Sequence, residues 1–369
     1  MTSAADRAIG SRRRAGTSAT RFPARLVYAF PLLILAAACS RGGSPAASDP
    51  APFELAGRTM GTTWSVKLPA DREGRVEGLR EELVAELEAV EDAMSTYRPE
   101  SELCRFNRAP AGLVSASPEL ASVVANALEV GRASGGAFDV TVGPIVDLWG
   151  FGAGPGERRA PSAEDLEAAR RLVGLDRLGA IRAGAVGGPS LEKATDGLRV
   201  DLSGIAKGHG VDRLAARLAA RGEANWFINV GGEIRAAGRR SAAREWKVAV
   251  ERPSEGRQLA LAEYPLRDRA MATSGDYRNF FVENGRRFSH TIDPRTGRPI
   301  EHALAQVSVV ATDCETADAW ATALDVLGPV EGPRLAEERG LAALFLVRRE
   351  DGGFDEVATT AFRRFAAGS

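Results

Sequence analysis

The sequence predicts an α+β fold for residues 53–369, as one domain of mixed, largely antiparallel sheets with packed helices. β-rich runs occur in hairpins and meanders as well as beside helices, whereas a doubly wound sheet needs regular alternation. Neither a repeat of fixed period nor a long structureless linker divides this region. A composition of 44% hydrophobic and 26% charged residues is typical of a globular domain.

The region begins with strands and continues with helices. Residues 53–68 contain two β-rich runs around a Met-Gly turn. Apolar residues recur every three or four positions over residues 77–94, which predicts a helix. A second helix is expected to begin at Ser117 and Pro118, a typical N-cap and first-turn pair, and to run to about Ala133.

The middle of the chain predicts a helix, a strand and another helix. Ser162 and Asp165 resemble a capping box, and Gly174 is expected to end the helix that they begin. The run "GLRVDL" at residues 197–202 predicts a strand that leads into a helix over residues 204–220.

Strands dominate the next segment. The β-rich runs within residues 226–251 predict a meander, and Asn284-Gly285 is a typical two-residue hairpin turn. A strand is expected over residues 306–311, followed by an alanine-rich helix over residues 314–328. A short helix and the strand "LAALFLV" are expected near the C-terminus.

The N-terminus differs from the rest of the chain. Residues 1–38 predict a signal peptide, because basic residues precede an apolar run too short to span a membrane comfortably. The run ends in "LAAAC", which resembles a bacterial lipobox with Cys39 as the lipidated residue. Residues 39–52 are rich in Gly, Ser, Pro and Ala and predict a flexible tether. A plain cleaved signal and an uncleaved anchor are the alternatives.

Net charge and cysteine content limit the classes of function and cross-link that the chain can have. A formal net charge of −1 gives no indication of nucleic-acid binding. Cys104 and Cys314 follow the tether. Two cysteines do not form a disulfide framework, so we expect two buried free thiols, although an oxidising compartment would permit a bridge.

A glycine-rich segment, "DLSGIAKGHG" at residues 201–210, is predicted between a strand and a helix. Such a turn allows close approach of a ligand, and a helix N-terminus favours phosphate. Lys207 would add a positive charge there. The segment matches neither a Walker A loop nor a dinucleotide fingerprint. An ordinary turn with a surface lysine is an equally good interpretation of this segment alone.

A second segment, "SGGAFDVTVGPIVDLWGFG" at residues 134–152, alternates glycine, polar and aromatic residues. This pattern suits a loop against a planar ligand, where Asp139 beside Phe138 could accept hydrogen bonds from ring N–H groups. A loop that packs its aromatic residues into the core explains the pattern equally well.

His290 is the histidine best placed for catalysis. It is predicted at the end of a hairpin strand, where an imidazole could serve as general base. A structural hydrogen bond is the more common role for a single histidine. His209 and His302 show no partner pattern, and no His or Cys spacing predicts zinc.

Asp318 and Thr322 lie four residues apart in the predicted helix 314–328 and therefore share one face. Carboxylate and hydroxyl oxygens suit a hard cation such as Mg²⁺. The alternative to a metal site is a solvent-exposed Asp and a Thr whose hydroxyl donates a hydrogen bond to a carbonyl of its own helix. This alternative stays open because Asp and Thr four residues apart are common.

Taken together, these segments resemble the bacterial FAD:protein FMN transferase family of ApbE-type lipoproteins. The matching segments occur in the family's order across residues 59–328 and are "TMGTTWSV", "MSTYRPESELCRFN", "SGGAFDVTVGP", "LWGFG", "DLSGIAKGHGVDR", "INVGGEIRAAG", "ATSGDYRNFF", "SHTIDPRTGRPI" and "TADAWATALDVLG".

The resemblance implies a Mg²⁺-dependent enzyme that moves FMN from FAD to a Thr or Ser hydroxyl of a target flavoprotein and releases AMP. It also implies that His290 does acid–base work. The implied metal site contains Gly204, Asp318, Ala321 and Thr322. The implied FAD contacts are Met60, Tyr97, Ala137, Phe138, Asp139, Asp201, Lys207 and Ile292.

The sequence departs from the family pattern at Cys104, His209 and Asp325, and we expect His209 to alter the lining of the active-site mouth. The small alanines of the metal-site helix are expected to let it approach the "SGIAKG" loop closely, so that Gly204 completes the site.

Two other functions compete with the transferase. One is a Mg²⁺-dependent FAD pyrophosphatase, in which water replaces the protein hydroxyl, and the other is a non-catalytic FAD-binding lipoprotein. The acceptor implied by the resemblance is a flavoprotein such as a quinone reductase or Rnf-type subunit. We expect a location on the periplasmic face of a membrane, with a lipid anchor at Cys39 and no nucleic-acid partner.

Overall fold

The computed structural model describes residues 50–368 apart from residues 73, 75, 155, 182–186, 254–258 and 276–278. The predicted signal peptide, Cys39 and most of the predicted tether therefore lie outside the described residues. Within the described part of the chain, no helix is both long and apolar enough to cross a bilayer.

The structure consists of antiparallel sheets and packed helices, which confirms the predicted fold class. The strands are β1 (Phe53–Thr59), β2 (Thr62–Leu68), β3 (Gly112–Ser115), β4 (Leu178–Ile181), β5 (Ser190–Lys193), β6 (Trp226–Val230), β7 (Glu233–Ala237), β8 (Lys247–Arg252), β9 (Leu259–Pro265), β10 (Arg269–Gly275), β11 (Phe280–Glu283), β12 (Arg286–Ser289), β13 (Ile292–Asp293), β14 (Arg298–Pro299), β15 (Leu304–Ala311), β16 (Ala342–Arg348) and β17 (Phe354–Ala358).

The helices lie mostly between these strands. They are α1 (Leu79–Met94), α2 (Glu102–Arg108), α3 (Pro118–Ala133), α4 (Gly143–Leu148), α5 (Ala163–Arg170), α6 (Ala206–Ala220), α7 (Cys314–Glu338) and α8 (Thr360–Ala366).

The central sheet has eight strands in the order β1-β2-β6-β7-β10-β15-β16-β17, and neighbouring strands are antiparallel. Successive side chains of a strand point to opposite faces. One face packs against α1, α6 and α7 through two clusters of buried apolar residues. The other face is covered in part by the β8-β9 hairpin and α8. The helix-covered face carries the elements that form the candidate site.

α6 and α7 approach each other unusually closely. A Cβ atom added to Gly208 of α6 would lie 2.3 Å from the carbonyl oxygen of Cys314 and 2.8 Å from Cβ of Asp318. Only glycine fits there without moving one of the two helices. The close contact places the first turn of α6 beside the α7 face that carries Asp318.

α7 changes direction at Gly328, whose φ of 73° and ψ of −166° are not helical. Pro329 follows and has no N–H to donate to the carbonyl of Asp325. The Nε2 atom of His302 lies 2.8 Å from that carbonyl oxygen and takes over the missing hydrogen bond. The predicted helix 314–328 and the short helix after it are therefore two parts of one kinked element.

Several sequence-based expectations need correction. Residues 197–202 do not form a strand, because only Arg199 makes an isolated bridge to Val142. The helix that begins after Ser162 ends at Arg170, before the predicted end. Residues 143–148 form α4 within a segment predicted as a loop. Both cysteines are free, although only Cys314 is fully buried.

Candidate active site

A cleft of about 420 Å³ opens between the helix-covered face of the central sheet and the segments that connect its strands. Eleven of the residues predicted from the sequence line it. They are Tyr97, Ala137, Phe138, Asp139, Asp201, Gly204, Lys207, His290, Ile292, Asp318 and Thr322. Segments widely separated in the sequence therefore converge on one cavity.

Lys207 lies between two buried carboxylates. Its Nζ atom is 2.9 Å from Oε1 of Glu233 and 3.6 Å from Oδ1 of Asp318. Glu233 and Asp318 are only 4% and 2% exposed. The second carboxylate oxygen of Asp318 accepts a hydrogen bond of 3.0 Å from the backbone N–H of Gly208. The lysine is therefore part of a fixed charge cluster and not a solvated surface residue.

This cluster has unusual protonation chemistry. Burial favours the neutral form of Glu233 and raises its pKa to about 7, although the nearby ammonium group of Lys207 opposes the shift. Burial alone would lower the pKa of Lys207, but the carboxylates of Asp318 and Glu233 raise it above its ordinary value. Oε2 of Glu233 is buried without a hydrogen-bond partner among the described residues. Lys207 thus remains protonated, and Oε2 of Glu233 can accept a hydrogen bond from a further donor.

Oxygen atoms converge next to this cluster. Oγ1 of Thr322 lies 3.4 Å from Oγ of Ser274, at the end of β10. A Cβ atom added to Gly204 would lie 3.0 Å from the same Thr322 oxygen. The predicted close approach of α7 to the "SGIAKG" loop is therefore observed, with Thr322 of α7 in contact distance of the Gly204 position.

These donors fit Mg²⁺, which binds through one or two carboxylates and keeps waters or substrate phosphates for its other positions. Asp318 would supply the carboxylate, Thr322 a hydroxyl and Gly204 a backbone carbonyl. No cluster of three or more His, Cys, Asp or Glu suited to a metal occurs among the described residues.

Two predicted residues lie outside the cleft. Ala321 is fully buried on the core side of α7, where its neighbours are other apolar residues. Met60 is a turn residue with φ of 46°, and its N–H donates a 2.8 Å hydrogen bond to Glu91. Its side chain packs toward α6, within 2.9 Å of a Cβ added to Gly210. The structure therefore does not bring Met60 and Ala321 to the cleft lining.

Asp139 is tied to its own loop. Its Oδ1 accepts hydrogen bonds of 2.8 Å and 2.6 Å from the N–H and hydroxyl of Thr141. Burial raises the pKa of Asp139 despite these bonds. Asp201 is held similarly, since its Oδ1 accepts a 2.8 Å bond from the N–H of Ser203. Both carboxylates are positioned before any ligand binds.

His290 lies across the cleft on the segment that follows β12. Its Nδ1 atom is 3.0 Å from the carbonyl oxygen of Asn279, which can only accept. Nδ1 therefore carries the hydrogen, and the lone pair of the neutral ring is on Nε2. Phe151 packs edge-on against the ring, with centroids 6.4 Å apart. The imidazole is thus oriented and has a basic nitrogen.

Sequence reasoning missed several polar residues of the site. Glu233 follows the Gly-Gly turn of "INVGGEI", which by itself predicts no functional role, and Asp325 differs from the family pattern without matching a known site position. Both line the cleft. Oδ2 of Asp325 accepts a 3.3 Å hydrogen bond from the hydroxyl of Thr291. In each case, the sequence signal that could have indicated a site residue is a charged side chain between uncharged neighbours.

The expected role of His209 was wrong. It does not line the cleft but lies between two carboxylates, 2.7 Å from Glu119 and 2.8 Å from Glu315. Burial alone would lower the pKa of His209, but these two carboxylates raise it to about 9. His209 therefore connects α6 with α3 and α7 as a charged residue.

Residues 60–345 match the model of the ApbE family. The chain belongs to the ApbE family. A relative from Vibrio cholerae named FAD:protein FMN transferase is 40% identical over 343 residues, which cover 92% of this chain and 98% of that protein. A second relative with the same name, from Haemophilus influenzae, is 40% identical over 322 residues, which cover 85% of this chain and 91% of that protein.

Solved structures agree with this assignment. The flavin transferase ApbE from Vibrio cholerae superimposes with a TM-score of 0.75 at 39% identity and covers 86% of this chain and 100% of that one. The apo form of the flavinyl transferase ApbE from Pseudomonas stutzeri gives a TM-score of 0.76 at 40% identity, and the match covers 86% of this chain and 98% of that one. The family predicted from the sequence, and its enzymatic nature, are therefore confirmed.

Proposed function

We propose that this chain is an FAD:protein FMN transferase that requires Mg²⁺ and attaches FMN to a Thr or Ser hydroxyl of an acceptor flavoprotein. The supporting observation is that Lys207, the oxygen donors of α7 and His290 line one cleft. The names of the relatives, at 40% identity over most of the chain, favour the same activity.

The reaction balances as a phosphoryl-group exchange. The acceptor oxygen forms a bond to the FMN phosphorus of FAD, and the bond from that phosphorus to the bridging oxygen breaks. The bridging oxygen leaves with AMP, and the acceptor hydroxyl gives up its proton. The protein must therefore neutralise negative charge on the phosphates and accept one proton.

Charge neutralisation is assigned to α6 and α7. Asp318, Thr322 and the carbonyl of Gly204 would hold Mg²⁺, which supplies a Lewis acid for the pyrophosphate oxygens when bound. Lys207 remains charged because Asp318 and Glu233 raise its pKa. It therefore contributes a fixed positive charge to the leaving AMP or the transferring phosphate.

Proton removal is assigned to His290. The carbonyl of Asn279 accepts the Nδ1 hydrogen, so the lone pair of the neutral ring lies on Nε2, and this nitrogen is the one proposed as the base. A hydroxyl is a weak nucleophile at neutral pH, and a positioned base typically contributes about 10² to 10⁴ in rate. His290→Gln should lower transfer by roughly that factor while FAD still binds.

The decisive experiment incubates the protein with FAD, Mg²⁺ and the soluble FMN-carrying domain of a sodium-pumping quinone reductase. Covalent flavin fluorescence on the acceptor band, lost when the acceptor hydroxyl residue is changed to Ala, is the expected result. Free FMN and AMP without labelling would support a pyrophosphatase. FAD binding without AMP release at any metal concentration would support a flavin-storage role.

The metal assignment has a matched control within α7. Asp318→Ala and Thr322→Ala should each lower Mg²⁺-dependent transfer, and the loss for Asp318→Ala should be at least about 10²-fold. Thr316→Ala changes the same residue type on an exposed part of the helix and should leave transfer unchanged. Wild-type turnover by Asp318→Ala at matched Mg²⁺ would contradict the assignment.

We further propose that the mature protein is anchored through lipid on Cys39 at the periplasmic face of a membrane. The lipobox-like "LAAAC" and the following tether support this location. Mass spectrometry of the mature N-terminus should find a diacylated cysteine, and Cys39→Ser should release the protein from the membrane fraction. An unmodified N-terminus at another residue would contradict the anchor.

A further inference from the structure

The face of the central sheet opposite α6 and α7 is only partly covered. The β8-β9 hairpin and α8 bury its apolar part, where Phe227, Met271 and Leu346 lie. Toward the ends of β2, β6 and β10 the same face becomes polar and open. A groove of about 570 Å³ lies there, floored by Thr63, Ser65, Asn229, Thr273 and Gln306.

The groove contains an unused acceptor. Gln306 is 1% exposed, and its Nε2 donates a 3.0 Å hydrogen bond to the carbonyl of Glu251. Its Oε1 is buried without a partner among the described residues. A buried amide oxygen without a donor destabilises a protein, because it loses its hydrogen bonds to water and gains none in return. Gln306 therefore leaves an acceptor at the groove that the described residues do not use.

The groove is continuous with the active-site cleft. Gly231 and Thr273 line both cavities. On β10, Thr273 faces the groove, whereas the next residue, Ser274, faces α7 and contacts Thr322. Gly231 in the β6-β7 turn and Thr273 near the end of β10 therefore lie where the groove meets the cleft. A chain lying in the groove reaches the cleft by passing this sheet end.

We propose that the groove binds an extended segment of the acceptor polypeptide and delivers its hydroxyl-bearing residue to the cleft. This inference rests on the proposed transferase function and identifies where its protein substrate binds. The backbone N–H groups of such a segment would satisfy Oε1 of Gln306, and its polar side chains would bond to the hydroxyls and amides of the floor.

The dimensions and charge of the groove match this occupant. It crosses the strands from β1 to β15, which is about 24 Å at roughly 4.8 Å per strand, or the length of about seven extended residues. Because the segment would cross the strands, side chains and not a β-ladder would recognise it. Glu54 and Glu251 are the charged residues of the lining, so a neutral or basic segment is favoured.

The test places a large cation in the groove without disturbing the cleft. Thr63 is exposed, so Thr63→Arg should fold normally and obstruct the floor. Leu113→Arg is the matched control, because Leu113 is 66% exposed and lies outside both cavities. The rate of FMN transfer is measured at increasing concentrations of the quinone-reductase domain, which gives KM for the acceptor. FAD binding is measured separately by quenching of flavin fluorescence.

We expect Thr63→Arg to raise KM for the acceptor at least tenfold with an unchanged Kd for FAD, and Leu113→Arg to resemble the wild type. Gln306→Met, which removes the unused oxygen, should also raise KM for the acceptor. An unchanged KM in Thr63→Arg would overturn the inference. If the wild type itself attaches no flavin, the proposed function fails and the inference fails with it.

Discussion

Gly208→Ala tests whether the close contact between α6 and α7 builds the site. The substitution keeps the N–H that donates to Asp318 and adds one methyl group. That methyl would lie 2.3 Å from the carbonyl oxygen of Cys314, so the backbone of one helix must move. Overpacking of this kind costs about 1–3 kcal/mol, and a contact this short places the cost at the upper end.

Gly210→Ala in the same helix is the control. Replacing a helical glycine by alanine stabilises a protein by about 1 kcal/mol. At Gly210 the added methyl meets the flexible end of the Met60 side chain at 2.9 Å, which can move aside. We therefore expect Gly208→Ala to be less stable than Gly210→Ala by about 3 kcal/mol, after subtracting the shared helix propensity.

Urea unfolding followed by tryptophan fluorescence measures this difference. Gly208→Ala should also lose about 10²-fold in Mg²⁺-dependent turnover, because a shift of about 1 Å in a catalytic group has that effect. Equal unfolding midpoints for the two variants would refute the close-packing argument. Unchanged turnover in Gly208→Ala would refute the claim that this contact positions Asp318.

Two further predictions concern the charged residues around α6. Because the folded protein raises the pKa of His209 to about 9, the protonated residue stabilises the fold. This stabilisation is complete below the unfolded-state pKa of about 6.5 and is lost as the pH rises through about 9. The free energy of unfolding should therefore fall by about 3 kcal/mol more in the wild type than in His209→Gln over that range, by urea titration at each pH. Glu233→Gln removes a carboxylate that holds Lys207, so it should lower transfer about tenfold or more with an unchanged melting temperature. Wild-type transfer by that variant would exclude a positioning role for Glu233.

Local sequence signals predicted the elements that depend on local chemistry. Asn284-Gly285 forms the expected turn, with φ of 51° and 77°. The side chains of Ser117 and Ser162 cap their helices as expected. These features depend on turn and cap preferences that neighbouring residues determine.

Other features depend on tertiary contacts that no local pattern contains. Residues 197–202 have the apolar content of a strand, but they form an irregular segment in which only Arg199 makes a bridge, to Val142. The carboxylate partners of His209 come from α3 and α7, about ninety and one hundred residues away in the sequence. The family resemblance named eleven residues that the structure places in one cleft, but also Met60 and Ala321, which lie outside it. Glu233 is recognised as a site residue only from its contact with Lys207.

The ratio of AMP released to FMN attached tests the central proposal most directly. Purified protein, FAD and Mg²⁺ are incubated with the acceptor domain, and AMP is measured by chromatography while attached flavin is measured by the mass of the intact acceptor. The transferase predicts equal amounts of AMP and attached FMN, and neither product with Asp318→Ala. AMP released with no increase in acceptor mass would contradict it.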